Sequence, residues 1–165
     1  MDTSDPTPVL SIRLDDLSDP RIAAFLEEHL ADMRRTSPPE SVHALDLDRL
    51  RRPEIRFWTV WHHGDDGVAL VGTGAIKQLD ATHAELKSMR TGAASRGQGI
   101  ARRLLAHIVE QARQLGYQRL SLETGTHAFF EPAQALYRRH GFVDCAPFGD
   151  YREDPNSRFM TLALA

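Results

Sequence analysis

The sequence predicts a single α/β (α+β) domain of about seven strands and about four helices. Three observations predict it: short stretches where apolar and polar residues alternate, longer stretches where apolar residues return every three or four positions, and glycine, proline and aspartate clusters at the joints. With 165 residues, 41% of them apolar and 26% charged, the chain can build one core. The domain is expected over residues 9–165, behind a polar tail at residues 1–8 that carries Pro6 and Pro8.

Val9 to Leu14 alternates as a short strand, and Ser18-Asp19-Pro20 opens a helix in which Ile22, Phe25, Leu26, Leu30 and Met33 recur at helical spacing until Ser37-Pro38-Pro39. A shorter helix is expected around Glu40 to Leu50. Ile55 to Trp61 reads as a strand, and Gly64-Asp65-Asp66-Gly67 turns it into a second strand, Val68 to Leu79. Gly72-Thr73-Gly74 inside that strand signals a bulge or a close backbone approach.

His83 to Thr91 is a strand whose alternation sets Glu85, Lys87, Met89 and Thr91 on one face and Leu86, Ser88 and Arg90 on the other. Both faces are mixed in polarity and the strand runs straight into a glycine loop, a pattern that suggests a site. From Ile100 a helical stripe of Leu104, Leu105, Ile108, Val109, Ala112 and Leu115 follows, with Gly116 where a left-handed C-terminal residue belongs. Arg119 to Glu123 is a strand, Pro132 starts a helix ended by Gly141, and Phe142 to Cys145 and Phe159 to Leu164 are the last two strands. The long charged loop between them is either a surface connection or the mouth of a pocket.

Ser95-Arg96-Gly97-Gln98-Gly99-Ile100-Ala101 has the make-up of an anion cradle: two glycines allow a tight turn, and the following helix adds the positive end of its dipole. It is neither a Walker loop, which needs Gly-Lys-Ser/Thr, nor a dinucleotide fingerprint, since Arg102 stands three positions after Gly99.

The net charge of −3 argues against a nucleic-acid binder, and no apolar run approaches a membrane span. Eight histidines show no metal-ligand spacing, and the one cysteine, Cys145, has no partner for an intrachain disulfide. The first residues lack the basic start and apolar middle of an export signal, so the reducing cytoplasm is the expected location.

The order of elements, with Arg96-Gly97-Gln98-Gly99-Ile100-Ala101 and Ala135-Leu136-Tyr137-Arg138-Arg139-His140-Gly141-Phe142, resembles the GNAT family of acyl-CoA N-acyltransferases from about Val9 to Leu164. Lys87-Ser88-Met89-Arg90-Thr91, Leu120-Ser121-Leu122-Glu123-Thr124-Gly125 and the segment from Tyr151 to Ser157 are similar to a bacterial subgroup sometimes labelled as indoleacetate-related acetyltransferases. The resemblance implies a mixed, mostly antiparallel sheet and acetyl-CoA as co-substrate. The backbone from Arg96 through Gly97, Gln98, Gly99 and Ile100 to Ala101 would hold the pyrophosphate, and the pantetheine arm would lie along Met89, Arg90 and Thr91. It also implies a primary amine of a small molecule or peptide as acceptor, and a homodimer as one assembly open to the family. Two departures stand out: Ala93 replaces a common proline, and Phe130 replaces a common asparagine.

An acceptor amine is mostly ammonium at neutral pH, so a base must take its proton. Glu85, on the strand entering the cradle, is the expected base, and the resemblance implies Tyr137 as the acid that protonates the departing thiolate. A backbone N–H near Met89 would stabilise the oxyanion. Glu123, Glu131, Asp150, Glu153 and Asp154 could attract a cationic amine or keep the surface soluble. A non-catalytic acyl-CoA-binding sensor of the same fold is the alternative function.

Overall fold

The computed structural model describes residues 9–36, 47–92 and 99–164. Its elements run β1 (Val9–Leu14), α1 (Pro20–Thr36), α2 (Leu47–Leu50), β2 (Ile55–Gly64), β3 (Gly67–Gln78), β4 (His83–Thr91), α3 (Ile100–Gln114), β5 (Arg119–Gly125), α4 (Glu131–Arg139), β6 (Val143–Asp144) and β7 (Ser157–Ala163). The expected second helix is described only as α2, its earlier part lying outside the described residues. The expected Phe142 to Cys145 strand shrinks to Val143–Asp144, because the Phe142 N–H is taken by the Tyr137 carbonyl at the end of α4 and Cys145 adds only a single N–H bond to the Phe159 carbonyl.

The strands form one sheet of seven in the order β1-β2-β3-β4-β5-β7-β6. Every pairing is antiparallel except β4 with β5, which α3 connects by a crossover. Glycines end the helices as expected: Gly116 and Gly141 have φ of 90° and 97°, conformations that side chains resist.

Each face of the sheet carries a core. Leu104, Leu105, Ile108 and Ala112 of α3, with Tyr137 of α4, pack on Val60, Ile76, Leu86, Leu120, Leu122 and Met160. Ile22 of α1 and Leu50 of α2 pack on Phe57, Trp61 and Ala75 from the opposite side. Trp58 and Trp61 are both buried, one in each core, so neither offers an indole-binding surface. The Gly72 and Gly74 signal is a close approach: an added Cβ would meet Ile100 at 3.1 Å and Ile108 at 2.7 Å. Among the described residues no helix is long and apolar enough to cross a membrane.

Candidate active site

The parallel ladder between β4 and β5 is short. It pairs His83 with Arg119, Ala84 with Leu120, Glu85 with Ser121 and Leu86 with Leu122, and then stops, although both strands continue. The cause is local. Ser88 takes φ 56°, the register with β3 shifts between Thr73 and Ala75, and the Thr73 hydroxyl donates to the Ser88 carbonyl at 2.9 Å. This bulge turns β4 away from β5 and opens a gap in the sheet.

The bulge also corrects the expected facing of β4. Glu85 and Lys87 do share a face, but Met89 packs with Leu86 against the α3 core. Thr91 pairs with Gly72, whose missing Cβ points at Ile100, and so lies on the Met89 side. Arg90 swings to the opposite side. Its guanidinium is buried beneath α1, 3.3 Å from Glu28 and over the Phe25 ring, so its side chain takes part in the α1 packing. An alternation count cannot register one inserted residue.

On the face shared by Glu85 and Lys87, alternation along β4, β5 and β7 collects polar groups. Glu85 is 4% exposed, yet its Oε2 accepts from Lys87 Nζ at 3.0 Å and from the Tyr151 hydroxyl at 2.5 Å. Lys87 Nζ also donates to the Tyr151 oxygen at 3.1 Å, closing a three-membered ring of contacts. Burial and the neighbouring Glu85 carboxylate push the Tyr151 phenol up, so it remains a donor.

Glu123 is the first residue of β5 beyond the last rung of the ladder. Its Oε2 accepts from the Ser157 hydroxyl at 2.7 Å. Burial raises its carboxyl to about 7, opposed by the Ser157 hydrogen bond and the Lys87 charge and reinforced by Glu85 and Asp154. A carboxyl at that value exchanges a proton freely near neutrality.

Tyr137 reaches the same region from α4. Its ring lies edge-on to Phe142, and burial, then the Glu123 charge, push the phenol up. The gap therefore has Glu123 on one side and Tyr137 on the other. Below it, His83 Nε2 meets Ser121 Oγ at 2.7 Å, Ser121 Oγ meets Thr161 Oγ1 at 2.8 Å, and Arg119 donates to the same Thr161 oxygen at 2.9 Å. This buried network satisfies the polar face beneath the carboxylates.

Gly99 sits at φ 78° just before α3 and, as a glycine, brings no side chain of its own to cap the first helical N–H groups. A helix start behind a left-handed glycine suits an anion. Ile100 and Ala101 begin that helix, with the Ile100 side chain buried. Arg96, Gly97 and Gln98 lie outside the described residues. Phe130, the departure from asparagine, is buried and lies so close to Gly125 that an added Cβ would overlap its ring. It fills with apolar surface a place where a polar group was expected.

Of the acidic residues noted in the sequence, Glu131, Asp150 and Glu153 are exposed, whereas Glu123 and Asp154 are half-buried at the site. His127 is exposed, His140 contacts the Leu136 carbonyl at 3.0 Å, and His43 lies outside the described residues. Among the described residues no cluster of three or more His, Cys, Asp or Glu has the arrangement of a metal site. Sequence reasoning missed Tyr151 and Lys87 as partners of Glu85, and Ser157 as the partner of Glu123. The one available signal was a long loop dense in polar and aromatic residues.

The family model described as "Acetyltransferase (GNAT) family" matches residues 22–142. The chain is 52% identical over 155 residues to the Bacillus subtilis (strain 168) protein named "Uncharacterized N-acetyltransferase YsnE", covering 94% of this chain and 100% of that one. It is 41% identical over 140 residues to the Azospirillum brasilense protein named "IAA acetyltransferase", covering 84% and 86% of the two chains. Among solved structures, a putative acyl-CoA N-acyltransferase from Klebsiella pneumoniae superposes with a TM-score of 0.73 at 28% identity, covering 94% of this chain and 98% of that one. With the fold and the split sheet already in view, these matches establish that the chain belongs to the GNAT acetyltransferase family and is an acyltransferase.

Proposed function

We propose that this protein transfers an acetyl group from acetyl-CoA directly to a primary amine of a small molecule or peptide. The observation that carries the reading is the gap beyond the Leu86–Leu122 rung, flanked by a carboxyl near 7 and a buried tyrosine. The backbone from Arg96 to Ala101 at the head of α3 would hold the CoA pyrophosphate, and the main chain of Met89, Arg90 and Thr91 the pantetheine.

The acceptor approaches from the polar face as an ammonium. Two carboxylates attract it, and their surroundings divide the labour. Glu85 is occupied by two donors and acts as a fixed charge. Glu123, with one donor and a proton affinity near neutrality, takes the proton first. The neutral nitrogen then attacks the thioester carbonyl, and a backbone N–H of the bulge near Met89 meets the oxyanion. As the C–S bond breaks, the Tyr137 phenol gives its proton to the thiolate, CoA leaves as the free thiol, and the phenolate recovers a proton from the N-protonated amide, which leaves as the neutral product.

The test is a broad amine panel scored by acetyl-CoA-dependent thiol release, with a mass check for acetylated product. At least one amine should release CoA in proportion to product. Glu85→Gln and Tyr137→Phe should each lower turnover while acetyl-CoA still raises the melting temperature. Binding of acetyl-CoA without release by any amine would replace this reading with that of an acyl-CoA sensor.

A further inference from the structure

Both carboxylates at the gap receive a hydroxyl from one stretch of chain. Tyr151 donates to Glu85 and Ser157 donates to Glu123, at opposite ends of a segment joining β6 to β7. The segment is internally braced. Asp154 Oδ1 accepts the Asn156 N–H at 2.8 Å, the Asp154 carbonyl accepts the Ser157 N–H at 3.0 Å, and the Tyr151 N–H donates to the Phe148 carbonyl at 3.1 Å.

It is also fastened to the sheet. Thr126 beyond β5 holds the Pro155 carbonyl through its hydroxyl at 2.9 Å and the Asn156 carbonyl through its N–H at 3.3 Å. The Phe148, Tyr151 and Phe159 rings close on one another with centroids 5.2 to 5.9 Å apart. Seven residues that carry a functional hydroxyl at each end cannot shift one end far without disturbing the other.

We propose that the segment from Tyr151 to Ser157 is the positioning clamp of the two carboxylates, Tyr151 fixing the charge of Glu85 with Lys87 and Ser157 fixing the base Glu123. The inference rests on the acetyl-transfer reading for its meaning in catalysis, but the clamp is defined by geometry alone. Tyr151 and Ser157 act through the carboxylates and need not touch the acceptor. Donor binding, on the other side of the gap, does not depend on them.

The charged and titratable groups bearing on Glu123 are Glu85 and Lys87 of β4, Asp154 of the segment itself and Tyr137 of α4. Ser157 lowers the proton affinity of Glu123, so deleting its hydroxyl must raise that affinity. In Ser157→Ala the acidic limb of kcat/KM should move up by about half a pH unit or more, the scale of one lost hydrogen bond. KM for acetyl-CoA should stay within about twofold, and Ser157→Thr should restore the limb.

Tyr151→Phe keeps the ring packing and removes only the hydroxyl. It should loosen the segment enough to raise the same midpoint by a smaller amount and to speed tryptic cleavage after the exposed Arg152. Carboxyl-labelled glutamate NMR, assigned with Glu123→Gln, reads the Glu123 midpoint with no acceptor present. Amine turnover absent with a midpoint that moves would overturn the acetyl-transfer reading and keep the clamp. A midpoint unmoved in both Ser157→Ala and Tyr151→Phe, with unchanged tryptic cleavage, would overturn the clamp.

Discussion

The two faces of β4 and β5 have opposite chemistry, though the same residues of chain build both. Toward α3, Ala84, Leu86, Leu120 and Leu122 are at most 3% exposed and are covered by apolar side chains. Toward the 151–157 segment, the buried Glu85 and Ser121 and the half-buried His83, Lys87 and Glu123 are held by specific hydrogen bonds. The apolar face draws its stability from area removed from water and tolerates repacking. The polar face gains little net stability from each bond, because every group in it first loses its hydration, and losing one partner leaves another unsatisfied. One face is therefore built for stability and the other for a defined arrangement of charge.

Glu123→Gln should break the comparison most sharply. An amide cannot accept the amine's proton, so turnover should fall by about 10²–10⁴-fold, the range for a lost acid–base group. Steady-state assays with retained acetyl-CoA binding as control check this. The same substitution should help stability. The folded carboxyl near 7 lies above its reference of 4.5, so the folded state binds more protons between those values and wild-type stability falls as pH rises from 4.5 to 7. Denaturation of the wild type and Glu123→Gln across that window should show the decline flattened in the variant.

On the opposite face, Leu105→Ala should cost about 2–5 kcal/mol of stability, since the residue is fully buried in the α3 core. Chemical denaturation should find that loss equal at pH 5 and pH 7, because no titrating group is involved. Thr161→Val should be milder, about 1–3 kcal/mol, from leaving Ser121 and Arg119 each short of a partner. If Thr161→Val were neutral and Leu105→Ala pH-dependent, the division between the faces would fail.

How far the sequence was legible follows from the range of the forces involved. The stripe from Leu104 to Ala112, Gly116 as a helix end and β4 at its full length were all readable, because each depends on neighbours within a few positions. The facing of Met89, Thr91 and Arg90 was misread, because the bulge at Ser88 is fixed by Thr73 across the sheet. Glu85 was singled out, but its partner Tyr151 stands 66 positions away. Glu123 was legible only as one acid among five. What separates it from the exposed Glu131, Asp150 and Glu153 is burial beside Ser157.

By itself the sequence determined the element types, the α/β fold class and, through Arg96 to Ala101 and Leu136 to Phe142, the family to which the chain belongs. The element types are properties of periodicity and local backbone preference, which short segments carry on their own, whereas the family rests on the resemblance of two motifs. Only the tertiary structure decided where the β4–β5 ladder stops and which carboxyl stands near neutrality. It likewise decided that one loop holds both acids. Proton affinity depends on desolvation and on charges brought close through space, and those exist only once distant strands have paired.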